Sequence, residues 1–158
     1  MHLINIFKQS ILLPKKEALF TLNRVSMRDT LTYIITLMFL LFIPDVVLML
    51  LNLEANQSNL STYILQLIVF YPFFIVFFAI SAVSLLAAIS LVMKYWLKRK
   101  LLYQQLWKMT SFSLTLPLIL YIILRYLSVG YLITNLLPLL LLYFLIYKMI
   151  VVYPKRRN

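Results

Sequence analysis

The chain has no cysteine, one glycine, one histidine and only four acidic residues. Without cysteine there is no disulfide framework, thiol nucleophile or Cys-based metal site. The histidine, His2, stands beside the N-terminus, and zinc or imidazole chemistry would need partners that the chain does not supply. A single glycine, Gly130, rules out a glycine-rich phosphate loop and a GxxxG helix-dimer motif. The carboxylates form no pair at a spacing suited to acid–base work. These shortages predict a protein that is not an enzyme and that uses no cofactor or metal.

What remains is apolar surface and positive charge. Of 158 residues, 64% are hydrophobic and 12% charged, against about half and about a quarter in soluble domains. A chain of this size cannot hide so much apolar surface in one aqueous core, so lipid is its natural solvent. Fifteen Lys and Arg stand against four Asp and Glu, a net charge of +11, which suits either nucleic acid or an anionic membrane surface.

A bilayer-spanning helix takes about 20 mostly apolar residues, and four segments qualify: 30–52, 63–93, 109–127 and 132–153. The second is long enough to tilt, kink or project beyond the hydrocarbon. Lys8, Lys15, Lys16, Arg24 and Arg28 precede the first span. Lys94, Lys98, Arg99, Lys100 and Lys108 lie between the second and third, and Lys148, Lys155, Arg156 and Arg157 at the far end. The opposite side holds only Arg125. The positive-inside rule therefore predicts cytoplasmic termini and a basic cytoplasmic loop at 94–108. It also accounts for the cations without nucleic acid, for which no soluble basic domain is visible.

The expected fold is all-α: one polytopic integral membrane domain over 1–158, with four transmembrane helices. Residues 1–29 form a cytoplasmic, interfacial segment. There Leu3, Ile4, Phe7 and Ile11 recur at helical spacing while Asn5, Lys8 and Gln9 face elsewhere, a pattern for an amphipathic helix lying in the interface. Ser26 stands three residues before Asp29, a capping-box spacing at the start of the first span.

Three groups of residues stand out. In the central loop, Lys94, Trp96, Lys98, Arg99, Lys100, Trp107 and Lys108 interleave cations with aromatics. Rings prefer the headgroup layer and nearby cations are drawn to anionic lipid. The loop is then either an anchor on the inner leaflet or a docking surface for a membrane-protein partner. In the second span, Ser81, Ser84 and Ala88 share a helical face, which predicts close packing on a neighbouring span. Asp45 follows Pro44 in the outer half of the first span, and Arg125 lies near the outer end of the third. A charge within the membrane costs about 2.5–3.5 kcal/mol on insertion scales and normally finds a partner. Depth thus nominates an Asp45–Arg125 pair as a structural contact between helices; the alternatives are that Asp45 simply faces outer-leaflet water or that it is a proton- or cation-coupling carboxylate. Each span also carries one proline, Pro44, Pro72, Pro117 or Pro138, and interrupted helices can border a shallow cavity.

The N-terminal block from Ile4 to Pro44 carries "IFKQS", then "PKK" at Pro14 to Lys16, the Phe20 to Arg24 stretch, and an apolar run ending in "IP". It resembles the start of a bacterial membrane family, domain-of-unknown-function family 1189, whose members are often labelled maltodextrin-utilisation membrane proteins within a Yip1-like group. In this resemblance the later spans match in hydropathy only. Members usually carry a sizeable extracytoplasmic segment between the first two spans, where this chain has "LEANQSNLS". The resemblance implies a bacterial cytoplasmic membrane, a link to carbohydrate uptake and no catalytic residues. The expected function is a non-enzymatic accessory or scaffold that supports or regulates such an uptake system. The alternative is a small transporter, or a transporter subunit, built around Asp45 and Arg125.

Overall fold

The computed structural model describes residues 3–55, 60–127 and 130–155, with only the backbone described at 45, 46, 48–55 and 60–68. His2, the middle of the loop between the first two spans, and Arg156 and Arg157 lie outside the described residues. Among the described residues seven helices follow in order: α1 (Leu3–Ile11), α2 (Lys16–Asn23), α3 (Met27–Ala55), α4 (Leu60–Trp96), α5 (Tyr103–Ser113), α6 (Thr115–Tyr126) and α7 (Tyr131–Val152). Four helical stretches are long and apolar enough to cross a membrane: within α3, within α4, α5 with α6, and α7. The chain is thus an all-α membrane protein with four spans.

Local chemistry sets several of the boundaries. Ser26 caps α3, its Oγ accepting the Asp29 N–H at 3.0 Å, as the sequence spacing predicts. Between α5 and α6, Pro117 has no N–H to offer the Ser113 carbonyl, and the chain turns at Leu114 before the ladder resumes with Leu118 N–H on Leu114 O at 2.9 Å. Pro44, Pro72 and Pro138 instead sit inside continuous helices.

The centre of the bundle is α5, which touches each of the other six helices. Its sequence, YQQLWKMTSFS, is among the least apolar of the helices, yet Leu106, Trp107, Met109, Thr110, Ser111, Phe112 and Ser113 are all buried. Burial is tolerable because the hydroxyls close on carbonyls of the preceding turn: Thr110 on Leu106 and Ser111 on Trp107 at 2.9 Å, Ser113 on Met109 at 2.6 Å. A buried polar group costs little once it is hydrogen-bonded. The third span therefore begins at Tyr103, not at 109, and the linker between α4 and α5 shortens to 97–102. Cations at 94–108 mask the helix from a hydropathy argument.

Helix α1 docks through Ile6 and Ser10, both fully buried, and leaves Leu3, Ile4, Phe7 and Ile11 exposed. That exposed set is the apolar stripe predicted for the interface. On α4 the buried line is Ile75, Ala79, Val83, Ala87 and Ser90. Its spacing of four, then three, is one helical face, and alanine at 79 and 87 lets neighbouring backbones approach. This corrects the expected packing face: Ser81 and Ser84 sit half-buried at its flanks and Ala88 is exposed. One residue along a helix turns the direction by about 100°, so a stripe read from the serines points beside the true contact.

The N-terminal helices, the linker and the C-terminal segment meet at one end of the bundle. Phe20 of α2 packs its ring 6.1 Å from that of Tyr153, beyond α7. The Lys100 N–H donates to the Pro154 carbonyl at 3.2 Å.

Candidate functional site

Among the described residues, polar groups gather around open space at one place toward each end of the bundle. The first lies between α3 and α6: a cavity of about 230 Å³ lined by Leu41, Pro44, Tyr121, Ile122, Arg125 and Tyr126. Arg125 is exposed on α6. Asp45 occupies a helical position directly after Pro44, but its side chain lies outside the described residues. The structure thus brings Arg125 to the cavity that Asp45's neighbour lines. Nearby, α4 holds α3 through the Tyr71 hydroxyl, which donates to the Phe42 carbonyl at 2.9 Å, with the two rings edge-on at 6.5 Å.

The second place is the basic junction. Just beyond α4, Lys98 has a φ of 49°, left-handed backbone, while the Lys98 N–H reaches the Tyr95 carbonyl at 3.1 Å and the Arg99 N–H the Lys94 carbonyl at 3.3 Å. These two bonds close the C-terminal end of α4. Arg99 then pairs with Lys155 in an isolated antiparallel bridge, and its guanidinium donates to the Tyr153 carbonyl. Helix α5 opens with the Gln105 side chain accepting the Leu102 N–H at 3.0 Å. Between these pieces lies a cavity of about 310 Å³ lined by Lys94, Arg99, Lys100, Leu101, Leu102 and Gln105. Tyr95 and Trp96 beside it are 82% and 80% exposed, and Leu102 is 68% exposed.

The seven loop residues marked in the sequence therefore divide. Lys94, Arg99 and Lys100 line the cavity, Trp96 stands exposed next to it, and Lys98 makes the turn. Trp107 and Lys108 belong to α5, and both side chains are engaged within the bundle. Trp107 is 4% exposed, with its Nε1–H donating to the Ser84 Oγ at 3.2 Å. The Lys108 ammonium donates to the carbonyls of Val25 at 2.6 Å and Asn23 at 3.5 Å. It caps the end of α2, where unpaired carbonyls and the helix dipole favour a cation. Ser84 keeps a packing role of a different kind, through Trp107 and through its carbonyl, which accepts the Tyr103 hydroxyl at 3.3 Å.

Sequence reasoning missed Gln105 and the carbonyls of Tyr153 and Pro154. Arg99 and Tyr153 are 54 positions apart, and no local spacing signals such a pairing. Among the described residues no group of His, Cys, Asp or Glu could hold a metal ion.

Comparison with protein-family models matches residues 49–153 to the family described as "Protein of unknown function (DUF1189)". The match takes in the end of α3 and all of α4 to α7. It corrects the sequence reading, which placed the resemblance in the N-terminal quarter: the later spans carry it, and the block from Ile4 to Pro44 lies outside it. Comparisons with curated proteins and with solved structures give no match.

Proposed function

The chain belongs to the DUF1189 family, and from that premise we propose that it is a non-enzymatic accessory or scaffold protein of a bacterial cytoplasmic membrane. In this reading both termini and the 97–102 linker are cytoplasmic, and the bundle stabilises or regulates a membrane-protein partner, with a carbohydrate uptake system as the partner class. The observation that carries it is the interior. The buried hydroxyls of α5, the Trp107 indole and the half-buried Lys108 ammonium are all engaged in holding helices together. Side chains committed in this way build a rigid support rather than a substrate path. The meeting of the basic N-terminal helices, linker and C-terminal segment at one end supports the orientation.

A second reading, a small transporter or transporter subunit, is favoured by the cavity between Pro44 and Arg125. Two measurements separate the readings. Deleting the gene should lower the abundance or the rate of one membrane uptake system, while the purified protein alone moves no sugar in vesicles. Saturable uptake by the purified protein, abolished by both Asp45→Asn and Arg125→Gln at unchanged protein level, would instead establish the transporter.

A further inference from the structure

We infer that the cavity at the α4–α5 junction binds the phosphate of an anionic phospholipid headgroup, held by Lys94, Arg99 and Lys100. Three cations from one short stretch line a space of about 310 Å³, within the range of small-ligand sites, and no acidic residue is among the lining. The Arg99 Nε–H is buried and has no hydrogen-bond partner among the described residues, although the other arm of its guanidinium is fixed on Tyr153. That atom is enclosed, so the phosphate oxygens would be met by charge-assisted bonds from the Lys94, Arg99 and Lys100 groups that line the cavity. Arginine held in this way is pre-set in direction, so little rotamer freedom is lost on binding.

The position of the cavity selects a lipid over a soluble anion. Membrane-spanning length in α4 ends at Trp96 and resumes at Tyr103, so the cavity lies at the level where headgroups sit. Its surroundings are aromatic and apolar as well as basic: Tyr95, Trp96 and Leu102 stand exposed around it. Such side chains favour the interface, where rings and acyl glycerol can meet. A free phosphate would gain nothing from them. The left-handed turn at Lys98 delivers Arg99 and Lys100 to the cavity while Lys94 approaches from the last turn of α4.

Trp96 supplies the reporter, since the only other tryptophan is buried. The full chain is reconstituted in phosphatidylcholine vesicles in which either phosphatidylglycerol or phosphatidylcholine carries brominated chains at the same mole fraction. Quenching should be stronger with brominated phosphatidylglycerol, saturating at low mole fraction. Lys94→Gln with Lys100→Gln should reduce that preference by about five-fold per lysine, the factor matching about 1 kcal/mol for each interfacial cation. Lys100→Arg should keep it, as should Lys15→Gln with Lys16→Gln, which removes the same charge elsewhere. Should the double variant fold poorly by circular dichroism, Lys100→Gln alone carries the test, because Lys100 is exposed. Equal quenching by the two lipids overturns the proposal. So does an equal fall in both double variants, which would mean diffuse charge attraction, and so does loss of the preference on adding millimolar inorganic phosphate.

Discussion

Lys98 adopts a φ of 49° where most proteins place glycine, and it does so in a chain whose single glycine is elsewhere. The left-handed region costs a side chain about 1–2 kcal/mol, while glycine returns about 0.4–1 kcal/mol of that by freeing the unfolded chain. Lys98→Gly should therefore stabilise by a few tenths to about 1 kcal/mol, read as a thermal midpoint in mild detergent about 2 °C higher. A lower midpoint would show that the Lys98 side chain contributes a contact that outweighs the backbone. Lys108 gives the opposite case. Lys108→Met removes the donor from the Val25 and Asn23 carbonyls, a loss of about 1.5–3 kcal/mol for bonds to a charged group. Lys100→Met, at an exposed position, should stay within about 0.5 kcal/mol in the same melt. Residues whose partners are local, such as Ser26 with Asp29, were readable from spacing. Lys108, whose partners are more than 80 positions away, was not.

At the scale of elements, four spans were legible because each is a long apolar run, and hydropathy needs no partner to be recognised. The start of the third span was not, because Tyr103 to Lys108 carries glutamines and a lysine that look solvated in one dimension. Gln104 does stay exposed and Gln105 bonds locally to the Leu102 N–H, but Lys108 is satisfied by the Asn23 and Val25 carbonyls, contacts that hydropathy does not encode. The face of α4 shows a subtler limit. Serine draws attention as a small polar residue, but Ala79, Val83 and Ala87 occupy the contact. Ala87→Leu should overpack that contact and cost about 1–3 kcal/mol, whereas Ala88→Leu, facing outward, should stay within about 0.5 kcal/mol. The two melts compared in one detergent decide the register of the helix. Equal losses would place both alanines in the packed face.

For the molecule as a whole, the proposed orientation puts the basic end in the cytoplasm, with its cations on the membrane surface, and turns the end with Arg125 and the cavity beside Pro44 outward. Under that proposal the two cavities have different roles: the one at the α4–α5 junction would meet lipid headgroups, and the other is lined by Arg125 and by Pro44, the neighbour of Asp45. Composition alone made the membrane legible, and the distribution of Lys and Arg made the orientation a definite expectation. The function was less so, since the proposed scaffold role would act through a partner, and a partner's chemistry is not written in the scaffold's own residues. Single cysteines at Gln57 and Gln104 test the orientation directly, because the chain has no other cysteine. Gln104 is exposed at the start of α5, and Gln57 falls in the loop between the first two spans. An impermeant thiol reagent should label Gln57→Cys in intact cells and Gln104→Cys only after the membrane is opened; labelling of Gln104→Cys in intact cells, with Gln57→Cys protected, would contradict the account.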